Sequence, residues 1–338
     1  MKKLISILII FSLIFSACAC AGKDEEADIA KPEIEVVDTP SRAELIASDE
    51  INDEYIEITN ADELCAIPDG STKNFYLSCD IDMNGKAWMP KDFSGSFDGK
   101  GFTISNLSIS GHSNGIESTY DGNMKVYDTC FAGMFGILDG AKVENLTLKN
   151  LSFKCATGSA NIFAGSVAGF MNNALISNVK VNGKGYLETS SKCFGIGGIA
   201  GYGNGEIRDT EADMVLVCID NNAAEKDEQF MGGAYAAGCI NLNNNKIKID
   251  GYDSDHGYVH DGGLVGMYIH YYDNVPTGSI CNNNVTGRIK FFEDNRDRRA
   301  YCSAYVGEMM NWDLAMNGNS ESFTRDEVFE YNVILLPE

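Results

Sequence analysis

The 338-residue sequence predicts an all-β solenoid of about six or seven stacked coils, on three observations. One word recurs along most of the chain: TISNLSISG (103–111), KVENLTLKN (142–150), LISNVKVNG (175–183), EIRDTEADM (206–214), NLNNNKIKI (241–249) and SICNNNVTG (279–287). A glycine-rich word alternates with it: AGMFG (132–136), AGSVAG (164–169), GGIAG (197–201), GGAYAAG (232–238) and GGLVG (262–266), with a degenerate SAYVG at 303–307. Third, the Val, Ile, Thr, Asn and Gly usage, with few Ala/Leu/Glu heptads, speaks against a helical repeat. No regular set of four strands marks a propeller blade.

The chain opens on MKKLISILIIFSLIFSACACAG. A basic start, an apolar run too short for a comfortable membrane span and small residues thereafter make residues 1–17 an export signal. FSAC (15–18) resembles the lipobox of bacterial lipoproteins, although Phe15 stands where leucine is usual, which implies lipidation of Cys18; Cys20 is the second candidate. Residues 18–54 then read as the lipidated cysteine and an acidic, aperiodic tether, with the folded domain over 55–338.

Charge narrows the partners. The formal net charge is −23, and −25 once Lys2 and Lys3 leave with the signal. That balance repels nucleic acid and anionic lipid, so nucleic acid is not expected and membrane contact is expected only through the N-terminal lipid. Nine cysteines beyond the signal, none paired at CxxC spacing, support neither a zinc ribbon nor a thioredoxin-type motif. They read as small packing residues, with disulfides between layers left open for an exported chain.

The first coil begins at SCDIDMNGKAWMPKD (78–92), where Asp80, Asp82, Asn84 and Gly85 fall on calcium-loop positions of an EF-hand. Position twelve needs a bidentate acid and holds Lys91. The alternation of Leu77, Cys79, Ile81 and Met83 instead predicts a strand with those four inward and Asp80 and Asp82 in water.

The repeated word predicts a corner. Its polar members are Asn106, Asn145, Asn178, Asp209, Asn244 and Asn282, separated by 39, 33, 31, 35 and 38 positions. Residues two apart share a strand face, whereas a step of three breaks alternation, so the backbone bends near each of them. Asn tolerates the left-handed conformation such a bend requires. The equivalent residues are expected to stack as an internal ladder that satisfies buried backbone groups. The glycine word is expected to supply a flat strand where layers pack closely.

GGIAG and GGLVG, each followed by an Ile-x-Asp or Ile-x-Asn word, together with ITNADELCAI (58–67), NFYLSCDIDM (74–83), AWMP (87–90) and FSGSFDGKGFTISNLSI (93–109), resemble the GLUG-type repeats of bacterial surface proteins over about residues 55–310. That resemblance implies a right-handed parallel β-helix with a short helix near its start, surface display of the adhesin kind, and no catalytic residues.

Insertions before the glycine words (112–130, 221–230, 252–261 and 293–302) fall at equivalent points of successive coils and are expected on one flank, where binding on rigid scaffolds concentrates. Tyr120, Tyr127, Tyr252 and Tyr258 there, with Tyr268, Tyr271 and Tyr272 at the other corner and Asp253 and Asp255 nearby, are the candidate ligand-binding residues, because sugars stack on aromatic faces and hydrogen-bond to carboxylates. The same tyrosines equally suit pinning loops to the wall.

His256, His260 and His270, with Asp261 beside them, lie in glycine-rich loops whose spacing fixes no metal geometry. Arg288-Ile289-Lys290 and Asp255-His256-Gly257 resemble fragments of galacturonase motifs, but the paired carboxylates of that chemistry are absent. Arg296, Arg298 and Arg299 are expected to pair with their own acidic neighbours in a surface loop. The expectation is a monomeric, lipid-anchored, extracytoplasmic binding protein that recognises glycan or another surface protein, without cofactor or metal. A polysaccharide lyase or glycoside hydrolase, and a passive envelope scaffold, are the alternatives. Residues 323–338 are expected to close the open end with a last strand.

Overall fold

The computed structural model describes residues 40–48, 54–113, 118–119, 125–126, 129–157, 160–221, 228–254, 258–269, 278–291, 300–309 and 314–326. Among the described residues the chain is all-β, with long parallel sheets and two short helices. Ala61–Cys65 is capped by Asn60, whose side chain accepts from the Glu63 amide. Arg42–Ala47 starts at a Ser41–Glu44 capping box and buries Ile46. RAELIA (42–47) is thus helical within the segment expected as tether, and Arg42 Nη2 donates to the Glu57 carbonyl at 3.0 Å.

Strand pairing follows the repeat. Lys142–Thr157 pairs in parallel with Ala168–Thr189. That strand pairs with Ala200–Arg208 and Glu211–Asp220, and these with Tyr235–Asn243 and Lys246–Asp253. Ser279–Cys281 and Asn284–Phe291 follow, then Ala315–Asn317 and Ser320–Asp326. A second sheet joins Thr129–Ala132, Asn161–Gly165, Cys193–Gly197, Glu228–Gly232, Tyr258–Gly262 and Ala300–Ser303, again in parallel.

The aliphatic members of the repeated word face the core in two columns. Val143, Ile176, Ile207, Leu242 and Ile280 form one, and Leu148, Val181, Ala212, Ile247 and Val285 the other, all buried. Between them Asn145, Asn178, Asp209, Asn244 and Asn282 turn the chain at φ of +51 to +59°. The column continues to Gly318 at φ +65°, a member the word missed.

Two expectations about this ladder are corrected. It is external: the left-handed corner swings each side chain outward, where Asn178 Nδ2 donates to Asn145 Oδ1 at 2.8 Å and Asn244 Nδ2 to Asp209 Oδ1 at 3.2 Å. Asn106 belongs to another column. It pairs with Asn150, which donates to Asn106 Oδ1 at 2.6 Å, and Asn106 Nδ2 donates to Asp82 Oδ1. Asn150 (φ +53°) is a second corner, and the register shift after Leu148 deletes it from the next layer.

The inward ladder sits one residue later. Leu146 and Val179 are apolar there, and Thr210, Asn245 and Asn283 are buried polar residues. Each accepts the amide of the layer before it: Thr210 N–H reaches Asn245 Oδ1 at 3.0 Å, Asn245 N–H reaches Asn283 Oδ1 at 3.0 Å, and Asn283 N–H reaches Asn319 Oδ1 at 2.9 Å.

The glycine words are sharp turns between the two sheets rather than flat strands. A Cβ on Gly197, Gly232 or Gly262 would stand 1.8–1.9 Å from the carbonyl oxygen three residues on. Beside these turns a smaller core packs Phe131 at a tilt against Phe170 and stacks Phe163 on Tyr202, with centroids 5.0 and 4.7 Å apart.

Candidate functional site: a polar groove on the corner wall

After each corner residue the second and fourth positions point outward. Register sets them in two columns. Thr147, Lys180, Glu211, Lys246 and Asn284 form the first, and Lys149, Asn182, Asp213, Lys248 and Thr286 the second. Together they line a shallow depression of about 390 Å³. A second depression of about 550 Å³ shares Asn182 and Asp213 and extends over Asn84, Asn106, Asn150, Ser152, Lys184 and Val215. The two depressions adjoin at Asn182 and Asp213 and form a groove along the layers, whose walls combine amides, hydroxyls, lysines and two carboxylates with aliphatic groups between them. Glu211 sits between Lys180 (3.7 Å) and Lys246 (3.2 Å), and Asp213 meets Lys248 at 3.0 Å.

An aromatic column borders the groove. Lys154, Tyr186, Val217, Tyr252 and Lys290 stack in register. Lys154 Nζ lies 5.2 Å from the Tyr186 centroid and Lys290 Nζ 6.0 Å from that of Tyr252, so lysines cover these rings. Tyr186 O–H donates to Glu188 at 2.8 Å; that bond and one from Asn221, the larger contributor, hold the Glu188 carboxyl below its usual range. Tyr252 O–H donates to Asp250 at 3.0 Å, and burial, then the Asp250 charge, raise its phenol.

Tyr252 is thus on the wall but engaged, and Tyr258 is exposed at the start of its strand. Tyr268 is corrected: it is 1 % exposed, and its oxygen accepts from Gly278 N–H at 2.6 Å, so it pins the start of the next strand rather than offering a ring. Asp253 is corrected too. It is fully buried, in register with Cys218, and with Asp261 and Asp220 it helps hold the Cys218 thiol, already raised by burial, well above its usual range. Tyr120, Tyr127, Tyr271, Tyr272, Asp255, His256, His270, Arg296, Arg298, Arg299 and Cys18 lie outside the described residues.

Asp80 and Asp82 are exposed and cap backbone: Asp80 accepts from Thr103 N–H at 2.8 Å, Asp82 from Asn84 N–H at 3.0 Å. Among the described residues no group of three or more His, Cys, Asp or Glu is placed to hold a metal ion. His260 occupies a rung of the small aromatic core, stacked on Phe230 at 5.2 Å, with Nδ1 2.7 Å from Glu308.

The groove residues escaped the sequence reading, which looked for aromatics in insertions. Their signal is the fixed offset from the corner: Lys180, Glu211, Lys246 and Asn284 each follow a corner residue by two, and Tyr186 and Tyr252 each follow one by eight.

No family model matches the chain, and no curated protein matches it. A solved structure titled "IgA1 Protease" is similar over 86 % of this chain, with a TM-score of 0.49 and 15 % identity. The chain spans 22 % of the length of that protein.

Proposed function

We propose that this chain is a lipid-anchored, adhesin-like glycan-binding protein of a bacterial envelope, held by Cys18 and without catalytic activity. Its parallel sheets are the walls of a right-handed parallel β-helix of six or seven coils, akin to GLUG-type surface proteins. Six aligned turns, from Gly133 to Ser303, support the coil number. The continuous groove through Asn182 and Asp213 carries the reading. Its layered amides, hydroxyls and carboxylates offer an extended chain the donors and acceptors that sugar hydroxyls need, on a rigid wall that loses little entropy on binding.

A glycan array probed with the chain lacking residues 1–22, followed by a reducing-end assay on each hit, tests this. Binding without release of reducing ends is expected. Release of reducing ends makes the polysaccharide-degrading alternative correct, and an array without hits leaves the scaffold alternative.

A further inference from the structure

We infer that the groove's ligand is a polyanionic glycan, a uronate- or sulfate-bearing chain lying along the stacking direction. This rests on the glycan-binding reading and adds the charge class. The chain as a whole carries −23, yet Lys149, Lys180, Lys184, Lys246 and Lys248 line the two depressions against only Glu211 and Asp213. The groove is therefore locally positive by three charges on a strongly acidic protein.

The register spaces these charges for an extended ligand. Neighbouring parallel strands lie ~4.8 Å apart, so Lys180 and Lys246, two layers apart in one column, stand about 10 Å from each other along the groove. Lys149 and Lys248 are three layers apart in the adjoining column. The side chains of Lys180, Lys246 and Lys248 are 57, 72 and 64 % exposed, so their pairs with Glu211 and Asp213 are solvent-facing and weak. An incoming carboxylate or sulfate replaces such a partner at small cost. Lys149 and Lys184 make no ion pair among the described residues.

A neutral glycan would leave Lys149 and Lys184 without a counter-charge, whereas Lys180, Lys246 and Lys248 would keep Glu211 and Asp213. Nucleic acid fits less well: the linings of the two depressions present lysines and amides without aromatics for base stacking. Asn182 between the lysines, and Asn284 and Thr286 in the layer beyond Lys246 and Lys248, match sugar hydroxyls instead.

The test measures affinity of the chain lacking residues 1–22 for polygalacturonate, heparin, neutral dextran and single-stranded DNA, at low and at physiological salt. Binding to one or both polyanionic glycans is expected, weakening roughly tenfold between the two salt concentrations. The triple variant K180Q/K246Q/K248Q should lose tenfold or more in affinity. E211Q/D213N should bind several-fold tighter, a gain that no folding defect imitates. Dextran or another neutral array glycan bound without salt dependence overturns the polyanion while the glycan reading survives. Absence of any glycan binding overturns both. DNA bound more tightly than either polyanion overturns the inference in favour of nucleic acid.

Discussion

Asn283 Oδ1 accepts two hydrogen bonds from Asn245, one from its backbone N–H at 3.0 Å and one from its side-chain amide at 2.9 Å. Asn283 Nδ2 reaches back to the Leu242 carbonyl at 2.9 Å. One buried side chain thus satisfies groups in the neighbouring layer that no strand ladder serves. Asn283→Ala orphans them, at about 1–3 kcal/mol per group. Its denaturant midpoint should fall accordingly. The outward Asn178→Gly should change stability by under about 1 kcal/mol, since glycine accepts the same φ. Equal losses in the two variants would show that the inward ladder has no special role.

Gly197 is held by space rather than by φ. A Cβ there would come 1.8 Å from Ala200 O, backbone that cannot move without disturbing the turns above and below. Gly197→Ala should cost about 3 kcal/mol or more, the upper range for overpacking. Gly140 (φ +62°) has open space around it, so Gly140→Ala carries only backbone strain of roughly 1–2 kcal/mol. Thermal melts of the two variants rank them, and a smaller loss at Gly197 would remove the steric explanation.

The corners were legible because only a few residue types accept left-handed φ, and Asn145, Asn178, Asp209, Asn244 and Asn282 keep nearly constant spacing. Asn106 was misaligned because Asn150 is an extra corner that the next layer deletes, which shifts register without changing the word. The inward ladder was hidden inside runs such as Asn243-Asn244-Asn245, where identity does not say which side chain faces the core. Lys180 and Lys246 looked like any solvated strand face. Only the register places them on either side of Glu211. Tyr268 and Asp253 misled because proximity to a loop in sequence says nothing about which face of the strand a side chain takes.

Thiol chemistry separates the cysteines. No disulfide joins two of the nine described cysteines. Burial pushes Cys155 and Cys193 up to about 12, and Cys218 well above its usual value. The thiolate is the reactive form, so Cys155 and Cys218, both buried, should resist a maleimide in the native protein at neutral pH and react on unfolding, and the half-buried Cys193 should react more slowly than a solvated thiol. Peptide mapping after a timed pulse checks this; early labelling of Cys218 would mean that the interior opens readily.

His260 makes stability fall in acid. Burial pushes its imidazole down to about 4, against 6.5 when solvated. Between those values the unfolded chain takes a proton that the native chain refuses, so the unfolding free energy drops as pH falls from about 6.5 to about 4 and is flat below. The full drop is about 3 kcal/mol. Glu308 beside it and Glu228 nearby are raised by burial, and Asp92 is raised to about 6, chiefly by burial. These carboxyls favour the native state as they protonate, opposing the histidine in the same window. The difference between variants is therefore the cleaner readout. His260→Phe keeps the ring stacked on Phe230 and removes the titration, so on acidification from pH 6.5 to 4 it should gain stability relative to the parent chain. Parallel denaturation curves across that range, with no divergence, would place the acid sensitivity elsewhere.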